Sequence, residues 1–223
     1  MPIKRIAVRL GVSLSTVSLW VRDIELDPAH RERNRRQEYA RRATTWSDLN
    51  RSKRRAHQRR GRLAAQRSDP LHQAGCMLHW AEGSKERNAV IFANSDLNMV
   101  RFFLRFLSEC FDLPPQRIGL RLNVYTGNGL ALRQVEDYWL KGLGLPRSCL
   151  RKHTVNHFPT SSSGKKRNKL PYGVATLTLY STRVAQHIYG AIQEYAGFEE
   201  PRWLDGPPRK PAANGVAPDS AEK

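Results

Sequence analysis

The stretch RIGLRLNVY, residues 117–125, alternates strictly. Ile118, Leu120, Leu122 and Val124 take one side; Arg117, Gly119, Arg121, Asn123 and Tyr125 take the other. Successive side chains of a strand point to opposite faces, so this segment requires a sheet with one face buried and one face wet. YGVATLTLY, residues 172–180, repeats the pattern with Ala175, Leu177 and Leu179 against Thr176, Thr178 and Tyr180. The apolar face needs a cover, and stripes at helical spacing supply it. They are Leu71, Ala74, Gly75, Leu78 and Ala81; then Val100, Phe103, Leu104, Leu107 and Phe111; then Leu132, Val135, Trp139 and Leu143. Val184, Ile188, Ala191, Ile192 and Tyr195 form the last, which Gly197 ends. AVIFAN, residues 89–94, reads as a short strand, Ser95 or Asp96 as the cap of the next helix, and KHTVNHF, residues 152–158, as a further strand. The predicted fold is α+β, with helices on one face of a mixed or antiparallel sheet in the order α, β, α, β, α, β, β, α.

Charge divides the rest of the chain. The 38 Lys and Arg against 20 Asp and Glu give +18, a field that attracts polyanions and makes nucleic acid the expected partner. Residues 31–70 alone hold 14 bases and 4 acids. The domains expected are therefore residues 1–26, a basic helical connector at 27–70, the α+β domain at 71–198, and a disordered Pro-, Gly- and Ala-rich tail at 199–223. The connector is sparse in apolar residues and reads as a phosphate-tracking helix, a solvated spacer or an arginine-rich RNA-binding segment. Cys76, Cys110 and Cys149 show no metal or disulfide spacing and read as reduced core residues. No run approaches the roughly 18 apolar residues of a membrane span, so the expected location is the cytoplasm, at the nucleoid. No small-molecule substrate is evident.

In IKRIAVRLGVSLSTVSLWVRDI, residues 3–24, Ile6, Ala7 and Leu10 recur at helical spacing, Gly11 stops the helix, and Val17, Trp20 and Val21 mark a second one. The segment resembles a helix-turn-helix, with Ala7, Gly11, Val17 and Trp20 at the positions that close its angle. The residues after Pro28 are expected to complete its packing. The resemblance implies contacts to phosphates and base edges from Ser13, Ser15, Thr16, Ser18 and Arg22.

In LHWAEGSK, residues 78–85, a helix ends in Glu82, followed at once by Gly83, and basic strand faces lie beyond. With the element order, this resembles the LAGLIDADG homing-endonuclease family over roughly residues 71–197. That family packs two such helices on a two-fold axis, ends each in an acid that binds divalent metal at the scissile phosphates, and lays a curved sheet in the major groove. The resemblance implies Glu82 as metal ligand and catalytic acid, Lys85 steadying the phosphate, His79 in a supporting role, and Mg²⁺ and a homodimer if the protein cleaves DNA. Here Glu stands where Asp is commoner, Met77 occupies the packing-glycine position with Gly75 two residues earlier, and no strand is legible directly after the motif. His153 and His157 lie about 13 Å apart on one strand face, too far to share a metal.

Three functions follow as expectations. The first is a sequence-specific double-stranded DNA-binding protein, a regulator, using the helix-turn-helix and a LAGLIDADG-like platform. The second is a Mg-dependent homing-type endonuclease. The third is a non-specific RNA- or nucleoid-binding protein. For the first, Arg117, Arg121, Asn123 and Tyr125 on the wet sheet face meet DNA, with Lys165, Lys166, Arg167 and Lys169 in the loop PTSSSGKKRNKLP.

Overall fold

A computed structural model describes residues 3–24, 27–157 and 170–205. The chain divides into two compact units, residues 1–49 and 50–223.

In the first unit, α1 (Ile3–Leu10) and α2 (Leu14–Trp20) pair around Ala7 and Val17, the side chains they bury. Gly11 leaves α1 at φ +66°, a left-handed turn that glycine takes without a Cβ penalty, and the Val12 amide donates to Ala7 O. Ser13 caps α2, its hydroxyl accepting from the Thr16 amide at 3.1 Å. Leu10 and Trp20, expected to point inward, do not. Trp20 is 58% exposed, and Val8, Leu10, Leu19 and Ile24 are exposed as well. The residues after Pro28 therefore do not close this apolar surface. Helices of two turns offer one inward position each, so the pair buries little on its own.

The long helix α3 (Pro28–Ala65) belongs to the first unit as far as Leu49 and to the second from Asn50. The sequence places residues 27–70 in one basic helical connector, sparse in apolar residues. The structure corrects this. Arg54, Gln58, Gly61 and Ala65 recur at i, i+4, i+7 and i+11 and form a buried stripe. Polar groups hold that stripe: Gln58 Nε2 donates to Gln186 Oε1 at 2.8 Å, Gln186 Nε2 donates to the carbonyls of Arg87 and Trp203, and Arg54 Nε donates to Leu204 O at 2.6 Å. The start of the expected tail is also ordered. A short helix α8 (Arg202–Asp205) buries Leu204, and Asp205 takes a two-pronged ion pair from Arg51. Residues 206–223 lie outside the described residues.

The α+β architecture is present. Asp69 caps α4 (Pro70–Glu82), which leads directly into β1 (Gly83–Ser84) and antiparallel β2 (Val90–Asn94). A two-residue strand carries no alternation, which is why the sequence shows nothing there. Asp96 caps α5 (Leu97–Phe111) by accepting from Asn98 and Met99 amides. Then come β3 (Gly119–Tyr125), α6 (Leu132–Leu143), β4 (Thr154–Asn156), β5 (Val174–Leu179) and α7 (Thr182–Ala196). The sheet order is β1-β2-β5-β3-β4, antiparallel except for β3 with β4. Phe92, Leu120, Leu122, Val124, Leu177 and Leu179 face the helices and join Phe103, Phe106, Trp139, Ile188 and Tyr189 in one core. On the other sheet face Ala93, Arg121 and Asn123 are exposed, and Thr176 between them is buried.

Candidate nucleic-acid interface

The sheet face opposite the helices follows from strand register. Thr178 of β5 stands between Ile91 and Gly119, and Thr176 between Ala93 and Arg121, while Asn123 pairs with Val174 on one side and Thr154 on the other. Small and β-branched residues thus form the floor, with Arg121 and Asn123 exposed on the same row parity. Tyr125 is half-buried at the strand end.

Beyond the floor, Ile91, Arg117, Gly119, Arg121, Arg151, Lys152, Thr178 and Tyr180 border a concavity of about 300 Å³. Four of these residues are basic and none is acidic. Gly119 makes room for Arg151: a Cβ there would lie 3.1 Å from Arg151 Cγ. The Arg151 guanidinium donates to Ser148 O and Leu150 O, which fixes it beside the floor. The side chains of Arg117, Arg121 and Lys152 have no hydrogen-bond or ion-pair partner among the described residues.

On the helical side several cations are matched. Arg147 is paired with Glu136 and Asp137, Arg105 with Glu109, Arg62 with Glu199, and Arg101 donates to Gly142 O. Helical cations such as Arg133 and Lys141 also lack an acid partner among the described residues; what sets the sheet face apart is that four basic residues and no acid border one concavity, an arrangement expected of a surface that meets a polyanion.

Arg117, Arg121, Asn123 and Tyr125 come together on this face as the sequence implies. Arg151, Lys152 and Tyr180 were not among the predicted residues. The alternation puts Tyr180 on this face with Thr176 and Thr178, but assigns it no role there. Arg151 and Lys152 precede a three-residue strand that carries no periodic signal of its own. Lys165, Lys166, Arg167 and Lys169 lie outside the described residues.

In the first unit, Ser13, Ser15, Ser18 and Arg22 are exposed and Thr16 is half-buried. Ser13 is occupied as a cap, with Ser15 and Thr16 hydroxyls at 2.7 and 2.8 Å. Arg22 lies 3.5 Å from Asp23. Lys4 of α1 lines an open concavity with Ser15 and Ser18 and is a cation the sequence reading passed over.

At the end of α4 the structure separates Glu82 from its expected helpers. Glu82 is exposed. Lys85 Nζ turns back onto α4 and donates to the carbonyls of His79, Trp80 and Gly83 at 3.2, 2.7 and 2.7 Å. It caps the negative end of the helix rather than reaching outward. Burial pulls its ammonium below the usual lysine value, with Glu82 opposing.

His79 is fully buried beside Phe103 and Tyr189, and neither ring nitrogen has a hydrogen-bond partner. Burial first, then the Lys85 charge, lowers its pKa to about 3, so it is neutral and does not face a substrate. His153 supports the sheet: its Nδ1 accepts from the Leu122 amide and its Nε2 lies 3.2 Å from Glu136. Among the described residues no group of three or more His, Cys, Asp or Glu is placed to hold a metal ion. The described residues around Glu82 therefore do not form a set that fits Mg²⁺. Gly75 admits the Phe106 ring of α5; a Cβ there would lie 2.2 Å from Phe106 Cγ.

No helix among the described residues is long and apolar enough to cross a membrane. Compared with known proteins, the chain matches no family model, no curated protein and no solved structure.

Proposed function

We propose that this chain is a sequence-specific double-stranded DNA-binding protein, a regulator, that uses its helical pair and the sheet face opposite its helices. The observation that carries the reading is the set Arg117, Arg121, Arg151 and Lys152, four basic residues that border one concavity over Thr178 with no acid among its lining. Arginine and asparagine on such a floor suit guanine and adenine edges, and the surrounding cations suit phosphates. Ser15 and Ser18 of α2, with Arg22 just beyond it, supply a second set of polar groups for the same partner.

The likeness to LAGLIDADG proteins fits this reading as a platform. The hairpin β1–β2 follows Glu82 directly, as the resemblance implies. The side of α4 that carries Ala74, Met77, Leu78 and Ala81 is apolar, with Ala74 and Ala81 exposed and Met77 and Leu78 packed in part against the core. A second reading, a homodimer joined along that side with Glu82 near the axis, is favoured by this apolar strip. Cleavage is not part of the proposal, because a single chain gathers no metal-holding set among the described residues.

Selection of bound sequences from a random duplex library tests the proposal, followed by affinity for the selected site against unrelated DNA. A preferred site bound at least about a thousandfold more tightly is the expected result. Equal affinity for all duplexes would leave only a non-specific binder.

A further inference from the structure

Along α3, Tyr39 and Trp46 are 65% and 66% exposed. At about 3.6 residues per turn, positions seven apart fall on nearly the same face, about 10 Å apart along the axis. Arg42 lies between them on that face, held by Glu38 at 2.6 Å. Trp46 and Leu49 border a shallow depression of about 420 Å³ with Arg41, Arg42 and Thr45. Two large aromatic rings thus stand in solvent on a helix that carries 13 Lys and Arg against 3 Asp and Glu.

The Tyr39 hydroxyl and the Trp46 indole N–H can each donate one hydrogen bond to a phosphate, but the broad apolar faces of the two rings contribute nothing to such a contact. They fit a partner that is polyanionic and presents flat apolar faces. A helix of net charge +10 repels a copy of itself, so pairing of two α3 helices through these rings is electrostatically opposed. Bases in a duplex are stacked on one another and offer only their edges. Unpaired bases offer both: a phosphate chain for the arginines and ring faces for tyrosine and tryptophan.

We infer that the Tyr39–Trp46 face of α3 binds single-stranded nucleic acid by stacking unpaired bases on the two rings, with Arg41 and Arg42 on the backbone. This goes beyond duplex recognition by the sheet face and uses different residues.

The test measures binding of the full chain to a 30-nucleotide thymidine strand, a 30-nucleotide uridine strand and a 30-base-pair duplex, at one fixed salt concentration. Trp46→Ala should weaken binding to the single strands about 5- to 150-fold, and Trp46→Phe should restore most of it, because stacking on one ring is worth roughly 1–3 kcal/mol. Duplex affinity should change less than about twofold. The thymidine and uridine arms tell DNA from RNA as the source of the strand. An equal loss on duplex and single strands, no loss at all, or a wild-type dimer that Trp46→Ala dissociates in sedimentation would each overturn the assignment. Failure of duplex selectivity alone leaves it standing, so the two readings fail separately.

Discussion

Gly61 and Gly190 mark the crossing of α3 and α7 from opposite sides. A Cβ at Gly61 would lie 1.9 Å from the His187 carbonyl oxygen, and one at Gly190 would lie 2.0 Å from the Gln58 carbonyl oxygen. Backbone meets backbone here, and no rotamer change relieves a clash with a carbonyl. Gly61→Ala and Gly190→Ala should each destabilise the protein by at least about 2 kcal/mol. Gly11→Ala, strained by its positive φ but with open space around it, should cost about 1 kcal/mol. Denaturant unfolding of the three variants checks the order.

The unpaired cations of the sheet face should be read out by salt. Replacing Arg117, Arg121 and Lys152 by Ala should make the slope of log K against log salt shallower by about 0.9 for each phosphate no longer neutralised, with thermal stability nearly unchanged. A variant with the wild-type slope would remove this face from the interface. The same substitution of Arg147 should lower stability and leave the slope alone, since its charge is taken up by Glu136 and Asp137.

How much of this was legible beforehand differs by element. Ile118 to Val124 and Ala175 to Leu179 announced the sheet because alternation and burial coincide there. The sequence reading therefore reached the wet face and its Arg121 and Asn123. It missed the packing of Asn50–Ala65, because that contact is made by glycines, amides and a guanidinium, which carry no hydrophobic period. It also expected Lys85 to face a phosphate. The distance from Lys85 Nζ to Trp80 O is a product of the turn at Gly83, which residue type alone does not disclose.

Lys85 should act on stability and not on chemistry. Lys85→Met removes three hydrogen bonds and a favourable charge at the α4 terminus, for a loss of about 1–2 kcal/mol. Glu82→Gln should change DNA affinity by only a few tenths of a kcal/mol, as expected of an exposed charge. Plasmid incubated with wild-type protein in Mg²⁺ or Mn²⁺ should stay supercoiled. Nicking that disappears in Glu82→Gln would reinstate the nuclease.

Acid should unfold this protein through its buried histidines. His79 and His187 have pKa values lowered to about 3 and about 4, chiefly by burial, while the unfolded chain takes up their protons near 6.5. Between those values the unfolded state binds more protons, so stability falls as pH drops from 6.5 toward 4, by up to about 1.4 kcal/mol per pH unit for each group. His79→Leu removes one group and two unpartnered ring nitrogens. Its melting temperature should depend less on pH across that window than the wild type's, as thermal melts at pH 7, 6, 5 and 4 will show.

The sheet order carries a consequence for how the chain is made. β5 is the last strand in the sequence, yet it lies at the centre, joining β2 to β3, which do not pair with each other. While a ribosome is still extending the chain through residue 170, the growing polypeptide holds two disconnected edges with nothing between them. Ile91 and Gly119 wait for the same residue, Thr178. The core then closes late and in one step around long-range pairs, a route that is slow and leaves apolar strand faces open to chaperones during synthesis.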